Sequence, residues 1–349
     1  MRRVFLLLVC AAWLSAGTAP ITHEDVWLMK RVGAPALSPD GKWVVVSVVE
    51  PAYEADKQVS DLWIVPADGS APPRRLTATK GPEGGVDWSP DSARIAFSAK
   101  REGDEVAQVY VLALGGGEAQ RVTSLSTGAY SPKWRPDGKA LLFQSTVYPG
   151  AADEEANKKI AAERKTRKYK ARVFELFPIQ YWDRWLDDLR PHVFVQELEP
   201  GAKAHDLLAS TNLVKEVGFD APRGGMSGES DLQPVWVPDG QSVVFTATIT
   251  GHVGAYAIGS THLYQVPAGG GEPRALTSGS DSFGRPAFRP DGKALYAIHS
   301  RRSEAKLYSL SRLAMLPWPA TGQPTLITER WDRSVDAFAF TPDSRTIFL

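Results

Sequence analysis

The chain has 349 residues with 40 basic and 40 acidic side chains, so its formal net charge is zero. That balance supplies no basic face of the kind nucleic acid requires, and a nucleic-acid partner is not expected. Hydrophobic residues make up 43% of the chain and 11 residues are tryptophan, enough to bury a large core, while a single cysteine, Cys10, rules out a disulfide framework.

Arg2 and Arg3 precede an apolar run from Val4 to Ala12, and the small residues Ser15, Ala16, Gly17 and Ala19 follow. This is the order of a secretory signal peptide. Residues 1–19 are therefore read as a leader cleaved near residues 17–19, and the product as exported, periplasmic or secreted. The run is short for a membrane span, and no membrane attachment is expected after cleavage. Cys10 lies inside it, so the mature chain, residues 20–349, would hold no thiol nucleophile and no thiolate metal ligand. Thr22 before His23-Glu24-Asp25 predicts the first turn of a helix with Thr22 as cap.

From residue 37 onward one pattern recurs six times: an aromatic or apolar residue, a variable residue, Pro-Asp, then glycine or serine. The copies are Leu37-Ser38-Pro39-Asp40-Gly41, Trp88-Ser89-Pro90-Asp91-Ser92, Trp134-Arg135-Pro136-Asp137-Gly138, Trp236-Val237-Pro238-Asp239-Gly240, Phe288-Arg289-Pro290-Asp291-Gly292 and Phe340-Thr341-Pro342-Asp343-Ser344. The prolines are 51, 46, 102, 52 and 52 residues apart. A constant period near 50 marks a repeat architecture, and the gap of 102 is either two units or one unit with a large insert. Proline fixes φ for a turn, aspartate bonds the local backbone, and glycine accepts the left-handed conformation that follows. Asp40, Asp91, Asp137, Asp239, Asp291 and Asp343 are thus read as structural turn residues. Ser92 and Ser344 replace the glycine, which predicts strain of roughly 1 kcal/mol at each.

Each turn runs into a short β-branched and aromatic stretch, such as Trp43–Val48, Arg94–Ser98, Leu141–Ser145, Val243–Ala247 and Leu295–Ile298. A second stretch follows: Asp61–Val65, Gln108–Leu112, His192–Gln196, His262–Val266 and Lys306–Leu310. Then come glycine-rich turns (Gly115-Gly116-Gly117, Gly269-Gly270-Gly271) and a segment ending in threonine: Arg75-Leu76-Thr77, Arg121-Val122-Thr123, Ala275-Leu276-Thr277 and Ile327-Thr328. Each unit offers about four strands joined by tight turns. The expected fold is all-β, a β-propeller of four-stranded, WD40-like blades over residues 20–349, with about six blades present and the ring incomplete. A β-sandwich would not need so constant a period.

The one irregular region, residues 150–190, is read as a helical and aromatic insert. Ala151 to Arg172 is polar and helix-prone, and it gives way to Val173-Phe174-Glu175-Leu176-Phe177-Pro178-Ile179-Gln180-Tyr181-Trp182-Asp183-Arg184-Trp185-Leu186. One reading is a solvated helix lying on the propeller with Trp182 and Trp185 packed beneath it. The other makes Tyr181, Trp182, Asp183, Arg184 and Trp185 substrate-facing residues at an opening that admits peptide, and a phosphate or membrane role for the basic stretch is a third.

Catalytic signatures are missing from the sequence. The nearest text to a Gly-x-Ser-x-Gly nucleophile elbow is Gly224-Gly225-Met226-Ser227-Gly228, with the spacing off by one, and it reads as a flexible loop. The six histidines show no metal spacing, and His192 and His262 fall at equivalent strand starts, which suits a structural role. No catalytic residue, metal or cofactor is expected in this chain.

The order Ile21-Thr22-His23-Glu24-Asp25-Val26, Pro35-Ala36-Leu37-Ser38-Pro39-Asp40-Gly41-Lys42-Trp43, Trp88-Ser89-Pro90-Asp91 and Tyr181-Trp182-Asp183-Arg184-Trp185 through Arg190-Pro191-His192-Val193-Phe194-Val195 resembles the N-terminal propeller of prolyl-oligopeptidase-family serine peptidases, in the acylaminoacyl-peptidase and dipeptidyl-peptidase branch. The Ser-Pro-Asp-Gly repeats alone also resemble TolB-type propellers. The first resemblance implies a propeller that caps an α/β-hydrolase domain carrying a Ser-Asp-His triad and admits short peptides. That partner domain has no counterpart here, and the chain stops within a hairpin at Thr346-Ile347-Phe348-Leu349, so a truncation or a fragment is expected. The alternative is a stand-alone periplasmic TolB-like propeller acting through protein contacts.

Overall fold

The computed structural model describes residues 20–54, 57–79, 81–169, 171–174, 177–181, 183–224, 229–257, 259–301, 309–319 and 322–349. The expected leader, residues 1–19, lies outside the described residues. The chain begins with helix α1 (His23–Leu28), whose capping box joins Thr22 and Asp25: Thr22 Oγ1 accepts from Asp25 N at 3.1 Å and Asp25 Oδ2 accepts from Thr22 N at 2.9 Å.

Successive antiparallel sheets follow, each built in chain order. Sheet I holds a split first strand (Arg31–Val32 and Ala36–Leu37), then Trp43–Glu50, Val59–Pro66 and Arg74–Arg75. Sheet II is Glu83–Trp88, Arg94–Ala99, Gln108–Ala113 and Gln120–Arg121. Sheet III is Tyr130–Trp134, Ala140–Val147, Arg190–Glu197 and His205–Asp206. Sheet IV is Val235–Trp236, Ser242–Ala247, His262–Pro267 and Arg274–Ala275, and sheet V is Ser282–Phe288, Ala294–Ser300, Ser311–Pro317 and Thr325–Leu326. Sheet VI, among the described residues, is the pair Ala339–Phe340 and Ile347–Phe348. These are the four-stranded blades of a β-propeller. The gap of 102 residues is therefore one blade with an insert: helix α2 (Glu154–Thr166) and a short hairpin (Gln180–Tyr181 with Arg184–Trp185) stand between the second and third strands of sheet III.

One strand assignment needs correcting. The third strand of sheet V is Ser311–Pro317, not Lys306–Leu310; Ser309 and Leu310 are outside any strand, and Lys306 to Tyr308 lie outside the described residues. Leu313, Ala314 and Leu316 fill the core there, whereas Leu310 is exposed. The Leu-Tyr pair of 306–310 imitates His262-Leu263-Tyr264, but it lacks the offset to the closing threonine described below. Around Gly224, in place of a plain loop, Arg223–Gly224 pairs with Glu229–Ser230; Ser227 lies outside the described residues.

All six Pro-Asp segments close the hairpin between the first and second strands of a sheet. In each, the N–H of the glycine or serine returns to the carbonyl of the residue before proline at 2.8–2.9 Å. The aspartate Oδ1 accepts from the N–H two residues on, at 2.9–3.1 Å, for Asp40, Asp91, Asp137, Asp239, Asp291 and Asp343 alike. Ser92 and Ser344 adopt φ of 58° and 62°. Their hydroxyls have a further use: Ser92 Oγ accepts from Asp40 N at 3.1 Å and Ser344 Oγ from Asp291 N at 3.0 Å, each linking its turn to the turn of the preceding sheet.

Threonines join the third and fourth strands in the same repeated way. Thr77, Thr123, Thr277 and Thr328 accept from the N–H of Leu62, Val109, Leu263 and Leu313, at 2.9–3.0 Å and a separation of 14 or 15 residues. First strands of neighbouring sheets also bond directly, which sets them side by side on the inner edge: Trp88 Nε1 donates to Ala36 O at 2.9 Å, Trp134 N to Asp87 Oδ2 at 2.8 Å and Trp236 Nε1 to Lys133 O at 3.2 Å. The fourth strands are only two residues long, so little unpaired edge is exposed.

The core lies between sheets. Val45, Leu62 and Ile64 of sheet I meet Ile95 and Phe97 of sheet II. Val109 of sheet II meets Leu141, Phe143 and Phe194 of sheet III. Leu142 and Val193 meet Val243, Phe245 and Tyr264 of sheet IV, and Val244 and Leu263 meet Leu295 and Ala297 of sheet V. Sheets II to V are covered on both faces, which is why their second strands read as unbroken apolar runs rather than as alternation.

Candidate peptide-facing insert

Strand alternation fixes where the insert stands. The Pro-Asp turns and the glycine-rich turns share one end of every sheet, so the second-to-third connection of sheet III leaves from the opposite end. Helix α2 starts at Asp153, whose carboxylate accepts from Ala156 N at 2.8 Å. Two residues of its first turns anchor it. Glu154 Oε1 accepts from Ser126 N at 2.7 Å, and Asn157, 2% exposed, accepts from Tyr148 N at 2.9 Å while donating to Thr127 Oγ1 at 3.2 Å.

Further along, the helix is held by charge. Arg164 makes two bonds to Asp188 at 2.6 and 2.5 Å and lies over the Tyr148 ring at 4.4 Å, while Lys165 meets Glu105 at 2.8 Å. The Arg164 bonds hold the Asp188 carboxyl below its usual range, Lys165 does the same for Glu105, and burial pushes the Tyr148 phenol up. Glu105, Val106, Ser126, Thr127, Tyr148, Ala161, Arg164 and Lys165 line an open cleft of about 440 Å³ between α2 and sheets II and III.

Among the described residues of the aromatic segment after α2, Trp185 is exposed rather than packed away. In the hairpin Gln180 opposes Trp185 and Tyr181 opposes Arg184, with Asp183 exposed at the turn. Trp185 is 57% exposed and its ring lies 6.0 Å from that of Phe174. Phe177 is exposed on one side and lies against Gly254, in the 3₁₀ turn Gly251–Ala255 that rises from the second-to-third connection of sheet IV. Tyr181 is half-buried, and Trp182 lies outside the described residues. The structure thus brings Tyr181, Asp183, Arg184 and Trp185 into one hairpin that projects an aromatic edge into solvent.

The comparisons with known proteins address the scaffold. Residues 26–166 match the family model described as the TolB beta propeller domain. Dipeptidyl-peptidase 5 of Porphyromonas gingivalis is 26% identical over 340 residues, which covers 96% of this chain and 47% of that protein. This chain is a β-propeller. It is homologous to the propeller portion of dipeptidyl-peptidase 5. The Porphyromonas endodontalis dipeptidyl-peptidase 5 is 29% identical over 283 residues, 78% of this chain and 37% of that protein. The chain spans about half, or less, of the curated relatives it matches. Among solved structures, the Pyrococcus horikoshii acylaminoacyl peptidase shares the fold with a TM-score of 0.60 at 16% identity, covering 90% of this chain and 42% of that one. The β-propeller domain of the Trilobed protease from Pyrococcus furiosus gives 0.53 at 12% identity, over 88% and 75%.

Within the propeller, His192 and His262 each tie a third strand to its neighbours. His192 Nδ1 lies 2.7 Å from Asp206 Oδ2, joining third and fourth strands of sheet III. His262 occupies the same place in sheet IV, where Nε2 lies 3.1 Å from Ser260 Oγ and Nδ1 3.4 Å from Thr277 Oγ1. Ser260 and His262 are both buried, and burial lowers the imidazole pKa. The pair satisfies polar groups in the core. Among the described residues no group of three or more His, Cys, Asp or Glu is placed to hold a metal ion, and no helix is long and apolar enough to cross a membrane.

Sequence reasoning missed several structural residues. Asn157 anchors the insert, yet a lone asparagine in a charged helix carries no signal. Gly85, Ser131, Gln233 and Arg285 each stand three residues before the aromatic of a Pro-Asp turn, in a first strand or, for Gln233, just before one, with φ of 64°, 54°, 51° and 51°. They mark a left-handed kink repeated in four sheets by four unlike residue types, so nothing in composition reveals it.

Proposed function

We propose that this chain is the substrate-gating propeller of an exported serine peptidase acting on short peptides, not catalytic by itself. The observation that carries the reading is the match of 96% of the chain to less than half of a dipeptidyl-peptidase. The active portion of such an enzyme is an α/β-hydrolase domain, the partner this propeller would serve. The insert supports a gating role: it is the largest departure from the repeat and presents Trp185, Phe177 and Asp183 together at one end of the sheets. Export rests on Arg2, Arg3 and the apolar run that follows.

The test has two arms. The purified chain is incubated with aminoacyl and dipeptidyl 4-nitroanilides, and no turnover is expected; turnover abolished by a serine-directed inhibitor would refute the non-catalytic assignment. In a protein that carries the hydrolase domain, Trp182→Ala with Trp185→Ala should change the longest peptide cleaved. Unchanged kinetics across a ladder of peptide lengths removes the insert from the gate. A second reading, a stand-alone TolB-like propeller acting through protein contacts, draws support from the family model over residues 26–166. The reading frame downstream separates the two: a Gly-x-Ser-x-Gly motif with later Asp and His favours the peptidase.

A further inference from the structure

The insert carries a charge pattern that gating by size does not use. Between Asn157 and Arg172 stand eight basic residues and one acidic residue, Glu163, in a chain whose formal net charge is zero. Arg164 and Lys165 are committed to Asp188 and Glu105. They also sit in the last turn of α2, where a cation interacts favourably with the helix dipole. The ion pairs reach none of the others, and the dipole reaches only Arg167, the C-cap residue. Lys158 and Lys159 lie in the first half of the helix, and Arg167, Lys168 and Arg172 lie beyond its end. All five are exposed, and among the described residues none has a carboxylate within ion-pair distance.

Large apolar side chains accompany these charges. Val173 is 84% exposed and Tyr169 61%, and Phe177, Ile179 and Trp185, later in the same insert, are exposed as well. Exposed apolar groups beside an excess of basic charge, here that of residues 158–172, suit a partner of opposite charge. The helix itself shows no apolar face that could lie in a bilayer: the buried residue recorded for it is Asn157, and the exposed apolar groups come after it in non-helical chain.

We propose that this strip binds acidic peptides, with Lys158, Lys159, Arg167, Lys168 and Arg172 meeting Asp or Glu side chains while Tyr169, Val173 and Trp185 contact large apolar neighbours. The proposal rests on the peptide-handling reading above and names the substrate class within it. Exposed pairs are individually weak and screened by salt, so the preference is the sum of two or three of them, about ten-fold in affinity at low ionic strength.

The test uses the full chain and three fluorescein-labelled decapeptides that alternate Leu and Phe with Glu, Gln or Lys. Anisotropy at low salt should rank Glu above Gln by about ten-fold, with Lys weakest, and raising salt should compress the difference. The variant K158E/K159E/K168E/R172E, checked for an unchanged melting temperature, should reverse the ranking; R167E with R172E is the smaller substitute if the fourfold variant fails to fold. Equal binding of the Glu and Gln peptides overturns the charge preference while leaving the peptide-gating reading intact. Failure of all three to bind removes both. A chain that binds phosphatidylglycerol vesicles but not the Glu peptide assigns the strip to a lipid surface and overturns the proposal.

Discussion

Thr123 gives the sharpest test of how these sheets hold together. Its side chain is fully buried, its Oγ1 accepts from Val109 N at 2.9 Å, and it donates to Gln108 Oε1 at 2.7 Å. Thr123→Val keeps the shape and removes the hydroxyl. Gln108 Oε1 retains the N–H of Leu125 at 3.2 Å, but Val109 N–H is left without an acceptor in the core. A buried unpaired donor costs about 2 kcal/mol. For a cooperative chain of this length that is about 3 °C in melting temperature. Thr123→Ser keeps both bonds and loses one methyl, about 0.8 kcal/mol. Differential scanning calorimetry should therefore rank wild type above Ser and Ser above Val, and amide exchange at Val109 should speed up in the Val variant alone. If Val is as stable as Ser, or Val109 stays protected, the threonine is not the third strand's acceptor and its recurrence in four sheets needs another cause.

Three further predictions use the same scaffold. Ser92→Ala keeps the left-handed φ but loses the acceptor for Asp40 N–H, so it should lower stability by about 1 kcal/mol, whereas Ser92→Gly relieves the strain as it loses the bond and should sit closer to wild type in urea unfolding. Burial lowers the His262 pKa, so its contribution is fully present above the unfolded value near 6.5 and is lost as pH falls below it; His262→Gln, which copies Gln108 of sheet II, should flatten the melting temperature between pH 7 and 5. Hydrogen bonds to the turn carboxylates of Asp40, Asp91, Asp137, Asp291 and Asp343 lower their pKa values, so stability should fall as pH drops below about 4, and Asp291→Asn with Asp343→Asn should blunt that loss in acid titrations followed by tryptophan fluorescence.

The turns were legible because Pro, Asp and Gly each answer one local demand, and a local demand leaves a residue type behind. The second strands were legible because burial on both faces writes an unbroken apolar run such as Leu141-Leu142-Phe143. The third strand of sheet V was misplaced because residue type there is ambiguous and distance is not: Leu313 stands 15 residues before Thr328, in step with Val109 and Thr123 at 14. The serine hydroxyls at the turns bond across sheets, to partners 52 and 53 residues away, so a reading confined to one turn sees only their strain. In the insert, the helix was visible in composition. The outward set of Trp185 was not, because whether an aromatic faces core or solvent depends on what the rest of the fold has already filled.

That last point bears on why a propeller can carry such an insert at all. The second and third strands of sheet III pair without interruption from Ala140 opposite Glu197 to Val147 opposite Arg190, so the ladder is complete before the chain departs. The 42 residues between Val147 and Arg190 then replace a connection that takes 8 in sheet II. Loop closure grows only with the logarithm of length, so the longer connection costs about 1.5 kcal/mol more. The buried Asn157 contacts and the paired Arg164–Asp188 bonds are of a size to offset it. The repeat therefore sets the frame and leaves each connection free in length and chemistry. In this chain that freedom is used most fully in the insert of sheet III, where basic and aromatic side chains stand clear of the sheets.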